Sequence, residues 1–247
     1  LSSKIFFYNA TDATKIPLRK IAVKKEKVKK VKRKAGRPKK GEAREAIKPK
    51  ILEQQKEMQT VEEMLCLVST ECGVGIKQNS KGNKEVWIGG KLHISAVDGD
   101  IPIIAFYSGA NVHDSSVSLP LIQETSKRVN YLYDLQDAGY DADIIREFST
   151  ALGHRPIIDI NPKNSKELKV KIEVQKDEQK KFEMLSLVQS SDTHHYNQRS
   201  MVERVNKYLK EDFGCNTIYY QGATKVASVL AFGILSVCIH QSLKLVT

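Results

Sequence analysis

The stretch Tyr196-Asn197-Gln198-Arg199-Ser200-Met201-Val202-Glu203-Arg204-Val205-Asn206-Lys207-Tyr208-Leu209-Lys210 decides how the chain is read. Tyr196, Arg199, Glu203 and Lys210 follow one another at steps of three, four and seven residues. At about 100° per residue, these steps put all four within an arc of roughly 60° on one helix face. Met201, Val202, Val205, Tyr208 and Leu209 fall on the opposite face. The spacing predicts an amphipathic helix over Tyr196–Glu211. An acid flanked by an Arg and a Lys on one stripe suits a site that handles phosphate and a metal ion. The same stripe also fits a surface helix with ion pairs at helical spacing.

Working outward, short apolar runs alternate with helical patterns. Lys4–Ala10 reads as a strand that delivers either Asn9 or Asp12 to its end. Residues 17–58 are rich in Lys and poor in large apolar side chains, and are expected to be a disordered or partly helical insertion. Val61–Val68 reads as a short helix. Glu85–Val97 and Ile101–Tyr107 read as a hairpin turning at Asp98-Gly99-Asp100, because Asp-Gly is a strong turn signal. Ser116–Val129 is expected to be a helix, Tyr131–Leu135 a strand, Ala142–Leu152 a helix capped by Asp141, and Pro156–Ile160 a strand. An exposed helix over 163–183 and a final helix over Ala223–Leu245 complete the pattern. Periodicity by itself implies a mixed α/β domain. Val226–Leu243 reaches the lower limit of length for a membrane helix. It contains Ser228, Gly233, Ser236, His240, Gln241 and Ser242, so a buried core helix is expected there.

The chain has 247 residues, 40% hydrophobic and 28% charged, enough to bury a sizeable core. The net charge of +11 is unevenly placed. Lys15–Lys50 holds 17 Lys or Arg against 3 Glu, a net +14, which leaves −3 on the rest of the chain. That distribution favours a nucleic-acid-binding arm over a basic enzyme surface. Cys66, Cys72, Cys215 and Cys238 lack the close pairs of a zinc site, so free thiols in a reducing cytosol are expected. No signal peptide is visible. The absence of an initial Met and the early strand suggest a fragment lacking an N-terminal region.

The spaced Tyr196, Arg199, Glu203 and Lys210 resemble the signature of bacterial insertion-sequence transposases of the DDE class. Tyr133-Asp134-Leu135-Gln136-Asp137-Ala138-Gly139-Tyr140-Asp141 is similar to that family's second-aspartate motif. Lys91-Leu92-His93, followed by Gly109-Ala110-Asn111-Val112-His113-Asp114, is similar to its habit of placing a His-Asp pair after the third strand. The resemblance covers nearly the whole chain. It implies a ribonuclease-H-like mixed sheet flanked by helices, interrupted by a disordered basic insertion. The chain then divides into a first strand (1–16), the insertion (17–58) and the remainder of the catalytic domain (59–247).

The resemblance also implies chemistry: metal-dependent cleavage and transfer of DNA strands at element ends, with two Mg2+ ions expected. Asp137 and Glu203 become the second and third acids. For the first acid, both Asp12-Ala13-Thr14 and Asn9-Ala10-Thr11 fit the pattern, and Asp98 is a weaker competitor in a turn. Asn9 in that place would leave an inactive DNA-binding remnant. A metal-dependent nuclease of similar fold is a further alternative. His113-Asp114 also fits a helix cap. Tyr196, Arg199 and Lys210 are carried over as DNA contacts. Lys32-Arg33-Lys34-Ala35-Gly36-Arg37-Pro38-Lys39-Lys40 resembles an AT-hook, with Ala35 where the first Arg of the core usually stands, and it also fits a solvated Lys-rich linker. As a hook it would place Arg37, Lys39 and Lys40 in or beside an A·T-rich minor groove. The implied partners are double-stranded DNA, at element ends and target, and a second copy in a homodimer on DNA. No membrane partner is expected, and the implied location is the cytoplasm, in association with the nucleoid.

Overall fold

Strand β1 (Ile5–Pro17) is the axis of the sheet. The computed structural model describes residues 5–19, 49–78, 82–162, 165–186 and 191–246. The other strands are β2 (Gly73–Gln78), β3 (Lys84–Val97), β4 (Ile101–Gly109), β5 (Asn130–Gln136) and β6 (Arg155–Ile158). β3 runs antiparallel to β1, β2 and β4. β5 lies parallel to β1, and β6 parallel to β5. The sheet path is β2-β3-β1-β5-β6, with β4 also on β3. Four strands joined by antiparallel pairings, β1 to β4, followed by the parallel β5 and β6 and flanked by helices, make the ribonuclease-H-like architecture. The β3–β4 hairpin turns at the expected place, where Gly99 and Asp100 take φ of 84° and 58°.

On one face lie α1 (Ile51–Lys56), α2 (Val61–Cys66), α3 (Ser118–Arg128) and α4 (Asp143–Ala151). Their core includes Met64, Leu119, Ile122, Tyr140 and Ile145. On the other face lie α7 (Ser200–Glu211) and α8 (Ala223–Val246). Met201, Val202, Val205 and Leu209 of α7 are buried against Ala10, Ile16, Leu92 and Ile94 of the sheet, each contributing roughly 1.5–3 kcal/mol. This is the apolar face expected for the helix. α5 (Lys166–Ser186) buries no side chain, as expected of an exposed helix.

Three expectations are corrected. The helix foreseen over Tyr196–Glu211 is divided between α6 (Ser191–Asn197) and α7. Between them, amides bond three residues back, Arg199 N to Tyr196 O at 2.9 Å and Met201 N to Gln198 O at 3.0 Å; this tighter turn separates the two helices. The N-cap of α4 is Ala142, not Asp141. Asp141 instead pairs with Arg146 at 2.9 Å and accepts the Asn161 amide at 2.8 Å. Within the segment expected to be disordered or partly helical, 51–56 form α1, and Gln55 is fully buried, donating to the Met64 and Ser116 carbonyls. Arg37, Lys39 and Lys40 lie outside the described residues. Finally, α8 is a core helix on one stripe only. Val226, Leu230 and Val237 are buried, whereas Phe232 is 71% and Leu243 62% exposed. By length and composition alone it could cross a membrane.

A buried polar network ties the sheet together. Asn9 Nδ2 donates to Asp134 Oδ1 at 3.1 Å across the β1–β5 ladder, and Ser95 Oγ of β3 donates to Asn9 Oδ1 at 2.5 Å. Thr125 Oγ1 of α3 donates to Ser95 Oγ at 2.8 Å, and Ser149 Oγ of α4 to Asp134 Oδ2 at 2.9 Å. Asn9 and Asp134 are both fully buried. Asn9 is therefore a cross-strand hydrogen-bonding residue. Replacing it with Asp would put a second carboxylate against a buried one and remove the donor. Asn9→Asp is expected to destabilise the fold by about 3 kcal/mol or more, read as a lower denaturant midpoint. An unchanged midpoint would overturn this account of Asn9.

Candidate active site

The lengths of the strands create the site. β5 pairs with β1 only as far as Thr11↔Gln136, whereas β3 accompanies β1 to Pro17. From Asp12 onward, β1 therefore has one edge without a strand. Gly89 permits the long β1–β3 pairing. A Cβ there would lie 2.1 Å from the Ile16 carbonyl oxygen, and its φ is 154°. Asn9 and Asp134 are partners in the parallel ladder. Three residues further along each strand stand Asp12 and Asp137.

A cleft of about 400 Å3 opens at this edge, and Asp12, Asp137 and Glu203 all line it. Asp12 comes from β1, Asp137 directly follows β5, and Glu203 stands in the first turn of α7. Asn206, one turn beyond Glu203, donates from Nδ2 to Asp12 Oδ2 at 3.3 Å. Asp137 Oδ1 accepts the Gly139 amide at 2.8 Å and so caps the 3-10 turn Ala138–Tyr140. Burial, reinforced by the charge of Asp137, pushes the Asp12 pKa up to about 6.

Glu203 is half-exposed and pairs with Arg199 at 2.7 Å. The Arg199 guanidinium also lies 5.6 Å from the centre of the Tyr196 ring. Burial opposes its charge, but Tyr196, Glu203, Asp12 and Asp137 outweigh that and raise its pKa. Burial and a hydrogen bond to Asp159 push the Tyr196 hydroxyl up to about 12. Lys210 lines the cleft; Arg199 and Tyr196 are not among its lining, and Arg199 connects Tyr196 to Glu203.

The two remaining signature segments also meet here. Lys91 Nζ donates to Asp114 Oδ1 at 2.8 Å and to the Val112 carbonyl at 2.9 Å, and Lys91 and Asp114 line the cleft. His113 caps the 3-10 turn Asp114–Val117. His93 is buried with Nε2 against Ser108 Oγ at 2.8 Å, and burial lowers its pKa to about 4, so it is a neutral core residue. Asn9 and Asp98 are elsewhere. Asp98 accepts the Phe7 and Tyr8 amides at 2.6 and 3.3 Å, at the opposite end of β1. Asn206, Lys15 and Lys77 line the cleft without having been singled out in the sequence. Asn206 had a signal, three residues after Glu203 on the same helix. Lys15 and Lys77 had none, because only strand pairing brings them near.

The oxygen donors suit a hard divalent cation. Beside the three carboxylates, Asn206 Oδ1 is buried without a hydrogen-bond partner. Among the described residues, no three His, Cys, Asp or Glu side chains stand close enough to hold an ion as they are.

A family model described as "Transposase DDE domain" matches residues 12–239. The chain belongs to this transposase family. The match begins at Asp12 and also spans Asp137 and Glu203. No curated protein and no solved structure matches the chain.

The raised Asp12 pKa in the transposase domain gives a test with a definite sign. A carboxyl with a pKa of about 6 when folded and 3.8 as its ordinary value holds its proton more tightly in the folded state. Its contribution to stability is intact below about pH 4 and is lost as pH rises through 6, by at most about 3 kcal/mol. Without metal, Asp12→Asn should therefore melt above the wild type at pH 8 and close to it at pH 4. Thermal unfolding at the two pH values checks this; a variant no more stable at pH 8 would contradict it.

Proposed function

We infer that the chain is the catalytic domain of an insertion-sequence transposase that cuts DNA at element ends and joins it to a target. The observation that carries this reading is the convergence of Asp12, Asp137 and Glu203, from three separate elements, on one cleft. Asp12 and Asp137 would hold a divalent cation between the ends of two parallel strands, and Glu203 would complete the set from α7. Two Mg2+ ions are the expected complement. When bound, such ions activate the attacking oxygen and neutralise charge on the phosphate and the departing oxygen.

The chain's own residues prepare that chemistry. Asn206 orients Asp12 through its amide and offers its carbonyl oxygen on the same side. Glu203 joins the set by turning from Arg199 towards Asp12. Arg199, released from Glu203, becomes free to meet a phosphate oxygen, with Tyr196 beneath it. Lys210 contacts the backbone at the other end of the cleft. The basic segment Lys15–Lys50 adds salt-dependent affinity for the duplex, with Arg37, Lys39 and Lys40 following the minor groove. The working form is a homodimer on DNA in the cytoplasm, associated with the nucleoid.

The reading as an inactive remnant drew on Asn9 as a lost acid. The buried bond from Asn9 to Asp134 gives Asn9 another purpose and leaves Asp12 for the site. Asp137→Asn and Glu203→Gln each remove a ligand charge with little change in shape. Each should reduce Mg2+-dependent cleavage of DNA carrying terminal inverted repeats on the order of a hundredfold or more, with DNA affinity kept. Joined products distinguish a transposase from a nuclease. Cleavage retained in either variant would defeat the three-acid mechanism.

A further inference from the structure

Four lysines line the cleft, from four different elements: Lys15 of β1, Lys77 of β2, Lys91 of β3 and Lys210 of α7. Lys91 is already engaged with Asp114 and the Val112 carbonyl. Lys15 pairs with Glu85, which stands opposite Lys77 in the β2–β3 ladder. Among the described residues, Lys77 and Lys210 have no carboxylate partner. Lys210 is half-buried, and its pKa is lowered by burial and then by the charges of Lys15 and Lys77. Lys15, Lys77 and Lys210 thus form one electrostatic group. Glu85 feels all three: its pKa falls mainly through its bond to Lys15, with smaller contributions from Lys77 and Lys210.

Lys15, Lys77 and Lys210 with Glu85 carry a net charge of +2, and Asp12 and Glu85 offset the lowering of the Lys210 pKa only in part. Holding like charges together with Lys210 partly out of water is unfavourable without an anion. An occupant that repeats negative charge along one chain, with one phosphate on the lysines and the next at a cation held by the acids, is a nucleic acid strand. We propose that Lys15, Lys77 and Lys210 form a phosphate-binding subsite for the sugar-phosphate backbone next to the bond that reaches the acids. The subsite rests on the transposase reading, and it names the wall of the cleft that grips the strand. It also explains the extension of β1 past Asp12 to Pro17 and the β2–β3 ribbon beside it. These carry Lys15 and Lys77 towards Lys210.

The test is acylation of lysines in the full chain, read residue by residue by mass spectrometry, with and without excess mixed-sequence duplex and without added metal. Lys77, Lys15 and Lys210 should lose reactivity severalfold on DNA binding. Lys207, on the same helix as Lys210 but outside the cleft, should not. Lys77→Gln should in addition lower the slope of log affinity against log salt by about one. If the lysines of residues 20–50 become protected while Lys77 and Lys210 react as before, or if the slope does not change, the subsite is overturned. Protection of Lys77 and Lys210 without Mg2+-dependent cleavage would sustain the subsite and defeat the catalytic reading. Cleavage without protection would do the reverse.

Discussion

The hydrogen bond between Asn9 and Asp134 sets the geometry on which the rest depends. A buried carboxylate is costly unless donors surround it. Asp134 has Asn9 from β1, Ser149 from α4 and Gln136 from its own strand. Burial raises its pKa, and these donors together with the charge of His154 oppose that rise. A slip of one residue between β1 and β5 would turn Asn9 to the other face of the sheet and strand the charge. The network therefore selects a single register. Asp12 and Asp137 inherit that register, each three residues beyond its member of the pair.

The cleft follows from a mismatch of length. β1 outruns β5, and the exposed end of β1 would be an unpaired edge if β3 did not accompany it past Gly89. The open side collects Asp12 and Lys15 from β1, Asp137 from the end of β5, Lys77 from β2, and Glu203 and Lys210 from α7. Ligands in α/β folds favour the carboxyl ends of parallel strands, and here the extension of β1 adds a basic wall to that position. The opposing charges are unsatisfied in different ways. Asp12 lies against Asp137, which helps to raise its pKa, and Lys210 lies against Lys15 and Lys77, which help to lower its own. On the proposed function, a cation at the acids and a phosphate on the lysines would relieve both.

The sequence made the local features legible. The 3.6-residue period of Met201, Val202, Val205 and Leu209 marks the buried face of α7, and Asp98-Gly99-Asp100 marks the hairpin. It left Asn9 and Asp12 undecided because both sit in a small-residue pattern on one strand. Only the parallel pairing with β5, a contact between residues more than a hundred positions apart, separates the buried face from the cleft. The break before α7 was hidden for a different reason. Three-residue and four-residue helical bonds differ by a single residue in span, and no Gly or Pro marks the change between Asn197 and Ser200. The exposed face of α8 was hidden because an apolar helix is equally apolar all round whichever stripe the sheet covers.

The last acid is held more loosely than the first two. Asp12 is carried by β1 and Asp137 directly follows β5, and they are fixed by Asn206 and the Gly139 amide. Glu203 is tied to Arg199 by an ion pair at helical spacing that is half-exposed on the Glu203 side. Such pairs contribute only about 0.3–0.5 kcal/mol. A cation between Asp12 and Asp137 therefore needs to offer little more than that to draw Glu203 across. The arginine left behind stays oriented by the Tyr196 ring, whose hydroxyl is in turn held by Asp159. One small rotation would bring the third carboxylate towards the ion and free a guanidinium for the phosphate. On the proposed function, the fold would thus provide two fixed ligands and leave the third to be drawn in by what binds.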